Sequence, residues 1–229
     1  MASEWNLAII GGRIAYIAYY DATPKSVRAR FRPFEDKIMA VKQRSFLLEP
    51  TENPTPSALL FLRHARFRLL EDYFVKIAAA IDALNHEQVW RRPNESSNSI
   101  GNLMLHLSGN VRQWIVSGVG GAEDRRDRAS EFAARGSVSK GELIELLKTT
   151  LDQADAVLAV IEGECAVANS DAPLQRVCKP QAYETSVFDA IFHVVEHFSY
   201  HAGQIIFAAK WLAEGQVSFY DDRRLNLEK

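Results

Sequence analysis

The stretch "SKGELIELLKTTLDQADAVLAVIEG", residues 139–163, carries the clearest helical signal in the chain. Leu143, Leu147, Leu151, Ala154, Leu158 and Ile161 recur at steps of four and three, the spacing that puts side chains on one face of a helix. Ser139 stands three residues before Glu142, a capping box in which each side chain satisfies a backbone N–H the helix start leaves over. Such an amphipathic helix cannot bury its apolar stripe alone and needs partners.

Working outward, three further stripes supply them. On the N-terminal side Leu62, Leu69, Tyr73, Ile77, Ile81 and Leu84 form one, ending near Asn85. "SSNS" at 96–99 offers N-cap candidates for a second helix, carrying Ile100, Leu103, Leu107, Val111 and Trp114 and ending before Gly118. Between it and the opening stretch, "GGAEDRRDRASEFAARG" (120–136) has the composition of an exposed loop with a helical turn at "ASEFAAR". Beyond a polar loop from Gly163 to about Thr185, a last helix carries Val187, Ile191, Val194, Phe198, Ile205 and Leu212 inward and runs to about Ala213. Four such helices predict an all-α four-helix bundle over residues 58–229.

Residues 1–57 read as an N-terminal extension, poorly ordered or not, closed by the Pro-rich linker "EPTENPTPS" (49–57). Its residues 25–44 hold seven Lys or Arg against two acidic residues, usually the mark of a solvated face. The whole chain of 229 residues has a formal charge of −2, which gives no general reason to expect nucleic acid or an anionic membrane as partner. "LAIIGGRIAYIAYY" (7–20) is broken by Gly11, Gly12 and Arg13 and is too short to cross a membrane. With two cysteines, Cys165 and Cys178, a soluble cytoplasmic protein is expected. A Gly-rich phosphate loop, a G-x-S-x-G elbow and a C-x-x-C pair are all missing from the sequence, which sets those chemistries aside.

The chemistry concentrates in "HVVEHFSYHAGQ", residues 193–204. Taking Val194 as the centre of the buried stripe, His201 lies about 20° and His197 about 60° away, while His193 sits about 100° off, at the edge. The triplet is therefore an inner pair with a neighbour. Imidazoles at i and i+4 are about 6 Å apart at Cβ, close enough to converge on one ion. His106 on the second helix also points inward, and three inward imidazoles are costly to bury unless something satisfies them together. Asn102 and Asn110 flank His106, and Gln204 follows His201; with His193 they are candidates to orient the imidazoles or contact a substrate, although Asn102 could equally serve the start of its helix. His64 and His86 have no partner at metal spacing. A zincin needs H-E-x-x-H, but "HFSYH" places Phe198 where the glutamate would be, and Glu196 points about 100° away from His197.

The blocks "SIGNLMLHLSGNVRQWI" and "HVVEHFSYHAGQII" resemble the DinB-like (DinB/YfiT-like) superfamily of metal-dependent four-helix proteins, and in particular a bacterial branch of it. The resemblance covers roughly residues 58–214. It implies a divalent ion, zinc or nickel, held by His106, His197 and His201, with an open position for a small-molecule substrate. Some relatives use the ion to activate a low-molecular-weight thiol for transfer or isomerisation, and the same centre could activate water for hydrolysis. A non-enzymatic, stress-responsive protein that binds metal, nucleic acid or a partner is the alternative, and a homodimer paired through apolar helix faces is a further possibility.

Overall fold

The computed structural model describes residues 7–10, 13–16, 55–214 and 217–219. The basic segment 25–44 and most of the linker, including Pro50 and Pro54, lie outside the described residues. The chain divides into two units, Met1–Leu47 and Leu48–Lys229. In the first, strands β1 (Leu7–Ile10) and β2 (Arg13–Tyr16) form an antiparallel hairpin with Leu7 opposite Tyr16 and Ile10 opposite Arg13. The described residues of the stretch that reads in sequence as too short to cross a membrane thus form a strand pair.

The second unit is almost wholly helical. Helix α1 occupies residues 57–82 and contains a π-helical stretch, Phe67–Tyr73, between α-helical Ser57–Arg66 and Phe74–Asp82. A short α2 (His86–Trp90) follows, capped by Asn85. Helix α3 covers residues 100–119, α-helical over Ile100–Val111 and π-helical over Arg112–Val119. Then come α4 (Arg128–Ala133), α5 (Lys140–Ala168), α6 (Ala172–Gln175) and α7 (Val187–Leu212). Two-residue strands β3 (Val177–Cys178) and β4 (Thr185–Ser186) pair just before α7.

The four long helices share one core, with α1 and α3 each packed against both α5 and α7. The stripes read from the sequence lie inside it: every stripe residue of α1, α3 and α5 is buried, and in α7 only Leu212 is half-buried. The capping box at Ser139 and Glu142 forms, as does one at Ser99 and Asn102. Two helix ends differ from the sequence reading. Helix α5 passes Gly163 and continues to Ala168, because Cys165, four residues beyond Ile161, extends the stripe and is fully buried. It stops at Asn169, whose φ of 46° is left-handed, a conformation asparagine tolerates at a helix end. Helix α3 does not stop before Gly118 but runs to Val119. A Cβ at Gly118 would lie 2.7 Å from the Pro180 side chain, so a larger residue there would push away the loop between β3 and β4.

Among the described residues no helix is long and apolar enough to cross a membrane. The outer side of α7 exposes Phe192, Tyr200, Phe207 and Trp211.

Candidate metal centre

Helices α3 and α7 cross with their histidines facing. Helix α3 brings His106, which is 5% exposed, and α7 brings His197 and His201, both half-buried. One ring nitrogen from each lies within 4.8 Å of the others. His106 Nε2 is 3.0 Å from His197 Nε2, and the His106 ring centre is 5.1 Å from that of His201. These are the three residues that the helical angles turn inward, and the fold brings them together.

The remaining ring nitrogens decide which atom each histidine has to offer. His201 Nδ1 is 2.8 Å from Gln204 Oε1; an amide oxygen only accepts, so Nδ1 carries the proton and Nε2 keeps its lone pair. His106 Nδ1 is 2.9 Å from Glu131 Oε2 and 3.1 Å from Arg126 Nη2. A protonated Nδ1 donates to the carboxylate, and a bare one accepts from the guanidinium, so both tautomers of His106 are satisfied. His197 Nδ1 is buried with no hydrogen-bond partner among the described residues.

Burial drives the electrostatics. It pushes the His197 imidazole down to about 3, helped by the neighbouring rings of His201, His106 and His193 and by Arg126. His201 is lowered too, again by burial first, against the opposing hydrogen bond to Gln204. Imidazoles held below their ordinary range are neutral near pH 7 and keep the lone pairs a metal needs. Three imidazole nitrogen donors, one braced by a carboxylate, could hold a divalent cation and leave a coordination position open.

That carboxylate lies in the segment with the composition of an exposed loop. Glu131 is 7% exposed and Arg126 has a side chain only 4% exposed. Arg126 Nε and Nη2 grip the two Glu131 oxygens at 2.7 and 2.9 Å, and its Nη1 donates to Gln113 Oε1 at 3.0 Å. Burial alone would raise the Glu131 carboxyl; hydrogen bonds from Arg126 and His106 outweigh it and hold the group below its usual range. Asn102 makes the placement possible without touching an imidazole. It caps α3 with Ser99, and its Nδ2 donates to the Glu131 and Ala134 carbonyls, pinning α4 to α3. Gly109 does the same by lacking a side chain, since a Cβ there would lie 1.9 Å from Glu131 Oε1.

His193 belongs to a flanking group. Asn110 Nδ2 is 3.3 Å from its Nε2, and the Trp114 ring lies 4.0 Å from the imidazole centre to centre. Asn110 Oδ1 and Trp114 Nε1 are buried without partners among the described residues. Both therefore present hydrogen-bonding capacity beside His193, whose ring centre is 5.5 Å from that of His197. Gln204 meets His201 as the i,i+3 spacing suggests, whereas His64 and His86 are exposed and outside the cluster.

Sequence reasoning passes over Glu131, Arg126 and Gly109. The only local signal is Asp127, an N-cap whose side chain accepts from the Ser130 N–H; it marks a helix start but not which acidic residue turns inward. Comparison with curated proteins finds no match to the chain. A family model described as "Protein of unknown function (DUF1572)" matches residues 57–220, which include every residue of the histidine cluster and its supports, and the chain belongs to that family.

Proposed function

We propose that the protein is a metal-dependent enzyme with a DinB-like four-helix-bundle architecture, in which His106, His197 and His201 hold a divalent ion, zinc or nickel, next to a small-molecule substrate. One observation carries the reading: ring nitrogens of three imidazoles from two helices gather within 4.8 Å, and the imidazole from α3 is backed by a buried carboxylate. When bound, such an ion lowers the pKa of a low-molecular-weight thiol or of water, supplying a nucleophile at neutral pH for a transferase, an isomerase or a hydrolase.

The chain's own residues prepare that chemistry. In the tautomer whose Nδ1–H donates to Glu131, His106 keeps Nε2 as the donor atom. His201 does the same through Gln204. Burial keeps His197 unprotonated, and Phe198 beside it is fully buried and carries no acid or base. Proton transfer is left to groups at the rim, where His193, its pKa lowered mainly by burial, stands as an imidazole beside the cluster. Asn110 Oδ1 and Trp114 Nε1–H, without partners among the described residues, offer one acceptor and one donor to orient a polar substrate.

Elemental analysis after loading with zinc, nickel or manganese is the test, combined with a screen of electrophiles against several low-molecular-weight thiols and against water. Near-stoichiometric metal and turnover, both lost in His201→Ala, are expected. Wild-type protein that retains no metal overturns the reading. Stoichiometric metal without turnover on any electrophile moves it to a metal-binding protein that is not an enzyme.

A further inference from the structure

A second feature lies on the far side of Arg126 from the histidines. A cavity of about 560 Å³ opens between the π-helical end of α3, the segment leading into α4 and the loop between β3 and β4. Its lining includes Arg126, Arg128 and Lys179, with Asp124 as the one acidic side chain. In a chain whose formal charge is −2, three cations around one cavity are a local reversal of sign.

The bookkeeping of charge inside the cavity favours an anion. Arg126 is neutralised by its two-point grip on Glu131. Asp124 is turned to internal work: its Oδ2 accepts from Gln113 Nε2 at 2.7 Å and its Oδ1 from the Arg126 backbone N–H at 3.0 Å. Arg128 and Lys179 remain, both exposed, and among the described residues neither is ion-paired to a carboxylate. Arg128 rests on the Phe132 ring at 5.0 Å, a contact that leaves the edge of its guanidinium free to donate.

The cavity is also wired to the histidines. Gln181 Nε2 donates to Gln113 Oε1 at 3.2 Å, Arg126 Nη1 donates to the same oxygen, and Arg126 then holds Glu131, which accepts from His106. Four hydrogen-bonded steps therefore connect the cavity wall to a residue of the centre. Gly118, which lets Pro180 approach α3, keeps the Lys179–Gln181 side of the wall in place.

We propose that this cavity binds a small ligand carrying a carboxylate or phosphate group, with Lys179 and Arg128 as its charge partners and the Gln113 and Gln181 amides as its hydrogen-bonding floor. The proposal rests on the functional reading above only in taking the ligand to be the substrate or thiol used at the histidine centre; the anion site itself needs no metal. Ligands with several negative charges gain most, because each cation adds a Coulombic term that is screened but not abolished at moderate salt.

The test is calorimetric titration of the metal-stripped full-length chain with inorganic phosphate and, separately, with succinate, at constant ionic strength set by sodium chloride. Saturable binding to the wild type is expected, weakened about tenfold in the double variant Arg128→Gln/Lys179→Gln, as removal of two charges predicts. Amide NMR shifts confined to Gln113, Gln181 and their neighbours should accompany it. Tighter phosphate assigns the site to a phosphoryl group and tighter succinate to a carboxylate. Absence of saturable binding to the stripped wild type, or equal binding by the variant, overturns the proposal. Binding that appears only after zinc loading and is indifferent to the double variant places the anion at the metal and also overturns it, while leaving the functional reading intact. A protein that binds these anions but never retains metal reverses that outcome: the anion site stands and the metal reading falls.

Discussion

The seam between α1 and α5 and the seam between α3 and α7 are built from opposite chemistry. Across the first, Arg66 clasps Asp155 at 2.6 and 3.1 Å and Glu162 at 2.6 Å, and Arg63 adds a second contact to Glu162 at 2.8 Å. Arg63, Arg66, Asp155 and Glu162 each meet an opposite charge there, and the groups are partly solvated. Across the second, the facing groups are imidazoles, those of His197 and His201 held below their ordinary range by burial, and the charges that serve the cluster, Glu131 and Arg126, come from outside both helices. A seam closed by satisfied ion pairs adds modestly to stability and has nothing left to bind with. A seam of clustered imidazole nitrogens is poor glue but is ready for a ligand.

The largest break in that contrast comes from the donors themselves. His197→Ala or His201→Ala should reduce bound zinc or nickel from near-stoichiometric to background by elemental analysis, while circular dichroism stays helical. Metal retained at wild-type level in either variant would count against the centre. Next come the supports. Glu131→Gln should weaken metal affinity by about 10- to 100-fold, the range seen when a carboxylate behind a metal-bound histidine is lost. Gly109→Ala should do much the same by displacing Glu131, and competition with a chromophoric chelator measures both. If Gly109→Ala binds metal like the wild type, the close approach of Glu131 to α3 is unimportant.

Acid sharpens the comparison from another side. Unfolded His197 titrates near 6.5 and the folded residue at about 3, so between those values the unfolded chain holds more protons than the native one. Stability of the metal-free protein should therefore be fully present above about pH 6.5 and fall as the pH drops toward 3, by up to about 1.4 kcal/mol per pH unit from this residue. Chemical denaturation across that window should show the slope, and His197→Gln should flatten it. The smallest effect belongs to the ion-paired seam: Arg66→Ala should cost about 1 kcal/mol of stability or less and leave metal affinity unchanged.

These two seams were not equally open to a reader of the sequence. The helices themselves were legible because apolar residues at steps of three and four must share a face, and the stripes of α1, α3 and α5 are buried to the last residue. The same geometry separated His197 and His201 from His193, since position on a helix is an angle. It placed α5's end too early, where Gly163 looked like a stop although Cys165 carried the stripe on. The supports obey no period. Glu131 and Arg126 are buried because a six-residue helix and its leading segment fold back over α3, anchored by Asn102 and admitted by Gly109; in sequence they are two charges among many. The hairpin near the N-terminus had a local cue in the Gly11-Gly12 dipeptide between apolar runs, but hydropathy averaged over a window does not resolve it.

The π-helical stretch of α3 has one more consequence, best put in terms of phase. A turn closed from residue i to i+5 holds more residues than an α-turn, so the side chains before and after Arg112–Val119 do not share one wheel. The helix presents His106 to α7 with its first half and Gly118 to the β3–β4 loop with its second. Closing this stretch back to ordinary α-pitch with all its residues kept would rotate everything downstream by about 100°. The two halves would then fall out of step, like gear wheels that have lost a tooth, while the hydrophobic content of the helix stayed almost the same.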